Sequence, residues 1–318
     1  MQSRELPNPV FVTGGAGFMG RRLLWFLLDE GCDVAAFVLP GEGDLLPEAV
    51  RIYEGDITDA EAVSEAVLDA SPKSVFHLAA VGLTRPGLAM TRACRVNVGG
   101  LINLLEAIRT LRHVRRVVLV GSSYAYGARR SDDGLDPFNA YSASKVAAWA
   151  FARAAYNAWG LPIAWVRPFQ VYGPGQQASA LIPAAIEAGL QGEDFRMTGG
   201  KQQRDFVYVD DVVRGLIDAG KARGVEGRVL DLGTGQLLSV REVVEKIWDL
   251  TAAEGHILAG ALPYRPGEVP AIPANFRRTR LLMGWTATVS LDEGLRRTVD
   301  VARAHHHELM DQRDNGLA

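Results

Sequence analysis

Short apolar runs alternate with longer mixed stretches through the first half of the chain. The runs are "VFVTG" (10–14), "DVAAFVL" (33–39), "SVFHLAA" (74–80), "RVVLVGS" (116–122) and "IAWVRP" (163–168). Their length and β-branched content predict strands. The stretches near 18–30, 59–70, 91–110 and 142–159 read as helices between them. Strand–helix alternation of this kind predicts βαβ units and a parallel sheet. The strands are apolar along their whole length rather than on every second position, so both faces of the sheet should be covered. The expected fold class is therefore α/β, a doubly wound parallel sheet with ligands at the C-terminal ends of its strands.

Past "RPFQVYGPGQ" (167–176) the pattern changes to more Gly and Pro, shorter elements and longer loops. "RDFVYVDDVVRGLIDAG" (204–220) and "RVLDLGTG" (228–235) again read as strand–helix and strand. The expected organisation is a main domain over 1–172 to which 204–235 returns, and a smaller, mixed C-terminal substrate-binding lobe built from 173–203 and 236–318. No internal repeat and no low-complexity tract interrupts this layout.

Composition narrows the classes. The chain has 318 residues, 48% hydrophobic and 22% charged, with a formal net charge of −3. That gives no electrostatic case for nucleic acid or an anionic membrane as partner. Basic clusters such as "RHVRR" (112–116) and "FRRTR" (276–280) read as solvated faces. No run reaches the roughly 18 apolar residues of a membrane span, and the N-terminal residues lack a signal-peptide layout. Cys32 and Cys94 form no disulfide framework or metal-ligand spacing, so a reduced, cytoplasmic compartment is expected. "HHH" (305–307) lacks the companion ligands of a metal site, and no metal is expected.

The first chemistry-bearing motif is "VFVTGGAGFMGRRLLWFLL", a strand, a glycine turn and an amphipathic helix in succession. Gly14, Gly17 and Gly20 have the spacing G-x-x-G-x-x-G. Such glycines permit a tight turn and close backbone approach to a pyrophosphate, which the N–H groups and dipole of a helix N-terminus then hold. The strand before and the helix after are the context that makes the motif specific for dinucleotides. Gly14, Gly17, Phe18, Met19 and Gly20 are the expected cofactor-binding residues, and the sheet is expected to be Rossmann-like. An acidic residue at the end of the second strand marks NAD, but Val38 and Leu39 stand there. Arg21 and Arg22 could reach a 2′-phosphate, or be solvated helix residues. Glu42 or Asp44 could reach the ribose if their loop folds back. The cofactor is NAD or NADP, its phosphorylation state open.

"NAYSASK" (139–145) sets Tyr141 and Lys145 four apart, on one face of any helix. Only the surrounding motifs give that pair meaning. "TGGAGFMG" (13–20), "GDITD" (55–59), "HLAA" (77–80), "VNVGG" (96–100), "GSSYAYG" (121–127), "YSASK" (141–145), "RPFQVYGPGQ" (167–176), "RDFVYVDDV" (204–212) and "RPGE" (265–268) occur in one order across most of the chain. Together they resemble the extended short-chain dehydrogenase/reductase family, in particular its nucleotide-sugar epimerases, dehydratases and 4-keto reductases.

The resemblance implies Tyr141 as general acid/base, Lys145 as its partner and Ser122 as the group polarising the substrate oxygen. It implies that Asp56 and Ile57 lie at the adenine, and that Ala79 and Ala80 leave room for the cofactor. Tyr141 and Lys145 also belong to its cofactor site. Substrate contacts are expected from Thr84, Ser123, Gln170, Arg204 and Arg265, the two arginines on a nucleotide diphosphate. Asn97 is expected to hold backbone near the site. The family also implies a homodimer through a four-helix bundle of the helices near 91–110 and 142–159.

Three departures shape the functional reading. Gln170 stands where the family's familiar form has Asn. The link from Ser122 to Tyr141 is short, with 18 residues between them. Ser123 and Tyr124 occupy the places of the dehydratases' Asp–Glu pair, which disfavours elimination of water. The leading expectation is a nucleotide-sugar epimerase acting at C4 through transient oxidation to a keto sugar. The alternative is an NAD(P)H-dependent 4-keto-sugar reductase, toward which the missing acidic residue leans. A non-catalytic dinucleotide-sensing protein is the remote third.

Overall fold

The computed structural model of the protein describes residues 5–82, 87–127, 135–264 and 273–314, with side chains to residue 308. Among them the chain runs β1 (Val10–Thr13), α1 (Phe18–Asp29), β2 (Val34–Val38), β3 (Arg51–Glu54), α2 (Ala60–Ala70), β4 (Ser74–His77), α3 (Met90–Ala93), a π-helical turn (Cys94–Gly99), α4 (Gly100–Ile108), β5 (Arg116–Val120), α5 (Ala140–Trp159) and β6 (Ile163–Pro168). It continues through β7 (Gln170–Tyr172), α6 (Leu181–Gln191), β8 (Phe195–Met197), β9 (Gln203–Arg204), β10 (Phe206–Tyr208), α7 (Val209–Lys221), β11 (Val229–Leu232), β12 (Leu238–Ser239), α8 (Val240–Thr251), β13 (Ile257–Ala259), α9 (Phe276–Met283) and α10 (Leu291–Asp314).

Seven of the described strands pair in parallel in the order β11-β6-β5-β4-β1-β2-β3. The apolar strands force this arrangement, because β1, β2, β4, β5 and β6 are buried at every position and need cover on both faces. One face packs on Leu23, Leu24 and Leu27 of α1 and Val212, Val213 and Leu216 of α7. The other packs on Val63 and Val67 of α2, Leu101, Leu104 and Leu105 of α4, and Ala148, Ala152 and Ala155 of α5. The order switches direction between β1 and β4, where Thr13 lies opposite His77. Such a switch point opens a crevice beyond the strand ends.

The sheet has one strand that the apolar pattern did not predict. β3 is an edge strand with Arg51, Ile52 and Glu54 exposed, so its sequence "RIYE" carries little apolar signal. The later segments divide: Val229–Leu232 is the opposite edge of the large sheet, whereas Phe206–Tyr208 pairs with β7 in a separate two-stranded sheet. Two further small sheets join β12 to β9 and β13 to β8. Ile182 and Ile186 of α6, Val243, Val244 and Ile247 of α8, and Leu295 and Val299 of α10 extend the apolar cluster that lies under α1 and α7. Among the described residues no helix is long and apolar enough to cross a membrane.

Candidate active site

The glycine turn between β1 and α1 is fixed by backbone alone. Gly14 N donates to Phe37 O at 3.1 Å, and Gly17 N donates to Gly14 O at 3.1 Å. Gly14 has φ +72°, and a Cβ there would stand 2.7 Å from Ala79 N. No side chain caps α1 at Gly17, so its first-turn N–H groups, at Phe18, Met19 and Gly20, are available to an anion. This cradle fits a dinucleotide pyrophosphate: a backbone approach that any side chain would fill, and a helix dipole aimed into it.

Beneath the turn, Thr13 Oγ1 lies 2.7 Å from His77 Nδ1, both groups buried. Ala79 N donates to Thr13 Oγ1 at 3.4 Å, so the pair ties the end of β1 to the end of β4. Burial, with the charge of Lys145 adding to it, pushes the His77 imidazole down to about 3, and His77 is therefore neutral at ordinary pH. His77 and Thr13 appear in the quoted motifs, but without a partner visible in sequence they carried no role.

α5 begins where it does because of a reciprocal cap. Ser142 N donates to Asn139 Oδ1 at 2.8 Å, and Asn139 N donates to Ser142 Oγ at 3.0 Å. This holds Tyr141 in the helix's first turn and Lys145 one turn on. A second chain of contacts fixes the same turn from outside. Asn97, on the π-helical turn, accepts from Val81 N at 2.8 Å and donates to Ser144 Oγ at 2.8 Å. Ser144 Oγ donates in turn to Tyr141 O at 2.7 Å. The inserted residue of a π-turn aims Asn97 at both the segment after β4 and α5, a use such turns commonly serve.

Tyr141, Lys145 and Ser122 are all buried, 8%, 6% and 6% exposed. Lys145 Nζ donates to Val120 O, the last carbonyl of β5, at 2.9 Å, and lies 5.8 Å from the centre of the Tyr141 ring. Ser122 follows that strand end by two residues and hydrogen-bonds Tyr141. Burial pushes the Tyr141 phenol up to about 12; the Ser122 hydrogen bond opposes this, and Tyr124 adds to it. Burial also brings the Lys145 ammonium down to about 8. At pH 7 the free chain thus holds a neutral phenol and a largely protonated lysine, packed side by side and shielded from water. Two adjacent groups whose shared burial pushes their pKa values apart, the phenol up and the ammonium down, are a usual mark of proton-transfer chemistry.

Tyr124, in the turn Ser123–Tyr126, meets the Tyr141 ring edge-on at 6.4 Å between centroids and packs on Phe138 at 5.6 Å. Its hydroxyl donates to Gln170 Oε1 at 3.5 Å. Gln170 and Ser123 are half-buried here, so Tyr124 joins two of the expected substrate contacts to Tyr141. Sequence reading singled out Tyr124 only as a missing carboxylate.

Elsewhere the expected residues spread as follows. Ala79 and Ala80 sit just past β4. Asp56 is exposed past β3 and accepts from Thr58 N at 2.8 Å. The Ile57 side chain is buried under Gly100 of α4. Arg204 is half-buried on β9 and donates to Gln203 O at 2.6 Å. Thr84 and Arg265 lie outside the described residues. Arg22 is exposed on α1 and its guanidinium makes a bidentate pair with Asp210 of α7, at 2.6 and 2.8 Å. Asp210 is 188 positions away, so nothing local announces the pair.

Residues 10–233 match the NAD dependent epimerase/dehydratase family. The chain is 30% identical over 309 residues to the UDP-glucuronate 4-epimerase of Thermodesulfobacterium geofontis, covering 91% of this chain and 94% of that protein. It is 32% identical over 314 residues to the UDP-glucose 4-epimerase of Mycolicibacterium smegmatis, covering 92% and 97%. Among solved structures, MoeE5 in complex with UDP-glucuronic acid and NAD is similar with a TM-score of 0.85 and 33% identity, over 94% of this chain and 100% of that one.

Proposed function

Because this chain belongs to the NAD dependent epimerase/dehydratase family, we propose that it is an NAD-dependent nucleotide-diphosphate-sugar epimerase acting at C4. The observation that carries this reading is the convergence of Ser122, Tyr141 and Lys145 at the strand ends beside the glycine turn. The UDP-sugar 4-epimerases similar over nearly the whole chain support it. Ser123 and Tyr124 supply no carboxylate for elimination of water, which weighs against a dehydratase.

A nicotinamide dinucleotide held at the glycine turn supplies the hydride acceptor and donor and, when oxidised, a positive charge. Tyr141 takes the C4 hydroxyl proton as that carbon becomes a carbonyl, and returns it when the carbon is reduced on its other face. Ser122 donates to the same oxygen as charge develops on it. Lys145, fixed on Val120 O, places a positive charge near the phenol and favours its ionised form. In the free chain, with Lys145 in place, burial still holds the phenol at about 12, so further positive charge beside it is required for a base at neutral pH. Gly14, Gly17, Phe18, Met19 and Gly20 hold the pyrophosphate, with Asp56, Ile57, Ala79 and Ala80 around the adenosine half. Thr84, Ser123, Gln170, Arg204 and Arg265 are the residues assigned to the sugar nucleotide. The main domain over 1–172, with 204–235, serves the dinucleotide, and the lobe of 173–203 and 236–318 serves the sugar nucleotide.

The test is direct. Purified protein with NAD is expected to interconvert the C4 epimers of UDP-glucose or UDP-glucuronate, read by chromatography of the released sugars. Stoichiometric consumption of NADH or NADPH by a 4-keto sugar nucleotide, with no epimer formed, would replace this reading by the reductase. A guanidinium on a diphosphate makes charge-assisted, often bidentate bonds. Arg204→Ala is therefore expected to weaken UDP-sugar binding by about 10-fold or more, and unchanged affinity in a calorimetric titration would remove Arg204 from the site. For assembly, the reading is a homodimer whose four-helix bundle combines the helices near 91–110 and 142–159 of each copy. Phe151 and Trp159, both exposed on α5, support it. Free Cys32 and Cys94 suit a reducing, cytoplasmic setting.

A further inference from the structure

We propose that Glu42 supplies the ribose-hydroxyl contact that Val38 and Leu39 cannot, and that Glu42 and Glu54 together exclude a 2′-phosphate. The inference rests on the reading of the glycine turn as a dinucleotide site and names the residues that set its cofactor preference.

The end of β2 adjoins that turn directly. Gly14 N donates to Phe37 O, and a Cβ on Gly15 would stand 3.6 Å from Val38 Cγ1. Immediately beyond Val38 the chain reverses. Glu42 N donates to Leu39 O at 3.0 Å, and Leu39 N donates back to Glu42 Oε2 at 3.3 Å. Gly41 N donates to Glu54 Oε1, at the end of β3, at 3.0 Å. The loop therefore folds back and brings Glu42 to the strand end, within one hydrogen bond of the position where an acidic residue is missing. Among the described residues Glu42 Oε1 has no hydrogen-bond partner, and Asp44 makes no hydrogen bond to either strand.

The charge balance favours one cofactor. A ribose diol offers two O–H donors, and a carboxylate is an acceptor only, so the pair is complementary and charge-assisted. A 2′-phosphate offers acceptors and negative charge to the same group and is repelled. The two arginines that follow the glycine turn are engaged elsewhere: Arg22 with Asp210, and Arg21 Nη2 with Gly175 O at 3.4 Å. Two carboxylates held by backbone amides, with no ion pair to a cation among the described residues, make this strand end selective for NAD.

The experiment titrates nucleotide-free protein with NAD and with NADP by calorimetry. Wild-type protein is expected to favour NAD by about 100-fold or more. In Glu42→Gln the amide oxygen can still accept from Leu39 N, so the turn persists while the charge is gone. NAD is then expected to weaken by about 10-fold, and the preference for NAD to shrink. In the double variant Glu42→Gln/Glu54→Gln, NADP should bind at least about 10-fold tighter than to wild type. An NAD:NADP ratio in Glu42→Gln equal to the wild-type ratio, or a wild type that prefers NADP, overturns the assignment of Glu42. Failure of the wild type to bind either nucleotide would overturn the dinucleotide reading itself, a separate and distinguishable result.

Discussion

Replacing Tyr141 by phenylalanine is expected to lower the epimerisation rate by about 10²- to 10⁴-fold while leaving NAD affinity close to that of the wild type. The substitution removes one oxygen from a ring that is otherwise kept in place. Tyr124 packs on it edge-on, and the Asn139–Ser142 cap and the Asn97–Ser144 contacts fix its backbone. Removing the hydroxyl therefore costs the proton acceptor without dislodging helix α5. The fold should tolerate the change, because the phenol's partner Ser122 keeps its contact with Tyr124 N at 3.2 Å. A single-turnover assay separates the outcomes: NAD titrates normally, and UDP-sugar binds, but no keto sugar or epimer accumulates. A variant retaining a tenth or more of the wild-type rate would move the proton-transfer role to another group. Lys145, brought down to about 8 and hydrogen-bonded at Val120 O, is too far from a free position to take it without leaving its anchor.

Much of this arrangement was legible because local physics and global fold agree. The glycine turn is a contiguous segment whose strand, reversal and helix each have their own signature, and the structure places it at the direction switch of the sheet. The β1, β2, β4, β5 and β6 strands were readable because burial on both faces leaves them apolar throughout. β3 was not, because an edge strand in water needs no such composition. The start of α5 was readable to within two residues from the alanine-rich stretch; its reciprocal cap could be verified only in three dimensions.

What sequence could not give were pairings between distant segments. Arg22 directly follows the glycine turn and reads equally as a 2′-phosphate ligand or a solvated helix residue; its pair with Asp210, through two short bonds, is visible only in three dimensions. Thr13 and His77 become a buried pair only because the order of the sheet sets β1 beside β4. Tyr124 and Gln170 meet across 46 positions. In sequence, Glu42 and Asp44 are alternatives that depend on their loop folding back, and only the reversal after β2 returns Glu42 to the strand end. Each depends on topology, which apolar periodicity specifies in kind but not in register.

The second large effect is expected at Gly20. Two general tendencies oppose each other there, and magnitude decides between them. Alanine in a helix ordinarily gains about 0.8–1 kcal/mol over glycine, so Gly20→Ala would stabilise α1 if the site were open. It is closed: a Cβ at Gly20 would stand 2.1 Å from Gly14 O, 2.8 Å from Gly15 O and 2.9 Å from Gly15 Cα. All three are backbone atoms, so no side chain can rotate to make room. The turn cannot retreat, because Gly14 is already backed by Ala79 and held by Phe37 O, and Gly14 O itself holds Gly17 N. Overpacking of this kind costs about 1–3 kcal/mol, enough to exceed the helix gain, and the displaced atoms are the ones that cradle the pyrophosphate. We expect Gly20→Ala to unfold at lower urea than wild type and to lose NAD affinity by about 100-fold or more, since misplacing the cradle forfeits several charge-assisted bonds at once. Gly17→Ala is the internal comparison: its Cβ would meet Gly14 O at 3.3 Å, a contact that a shift of a few tenths of an ångström relieves. Its loss should be the smaller of the two. If Gly20→Ala bound NAD as tightly as Gly17→Ala, the close approach of α1 to the turn would not be what shapes the site.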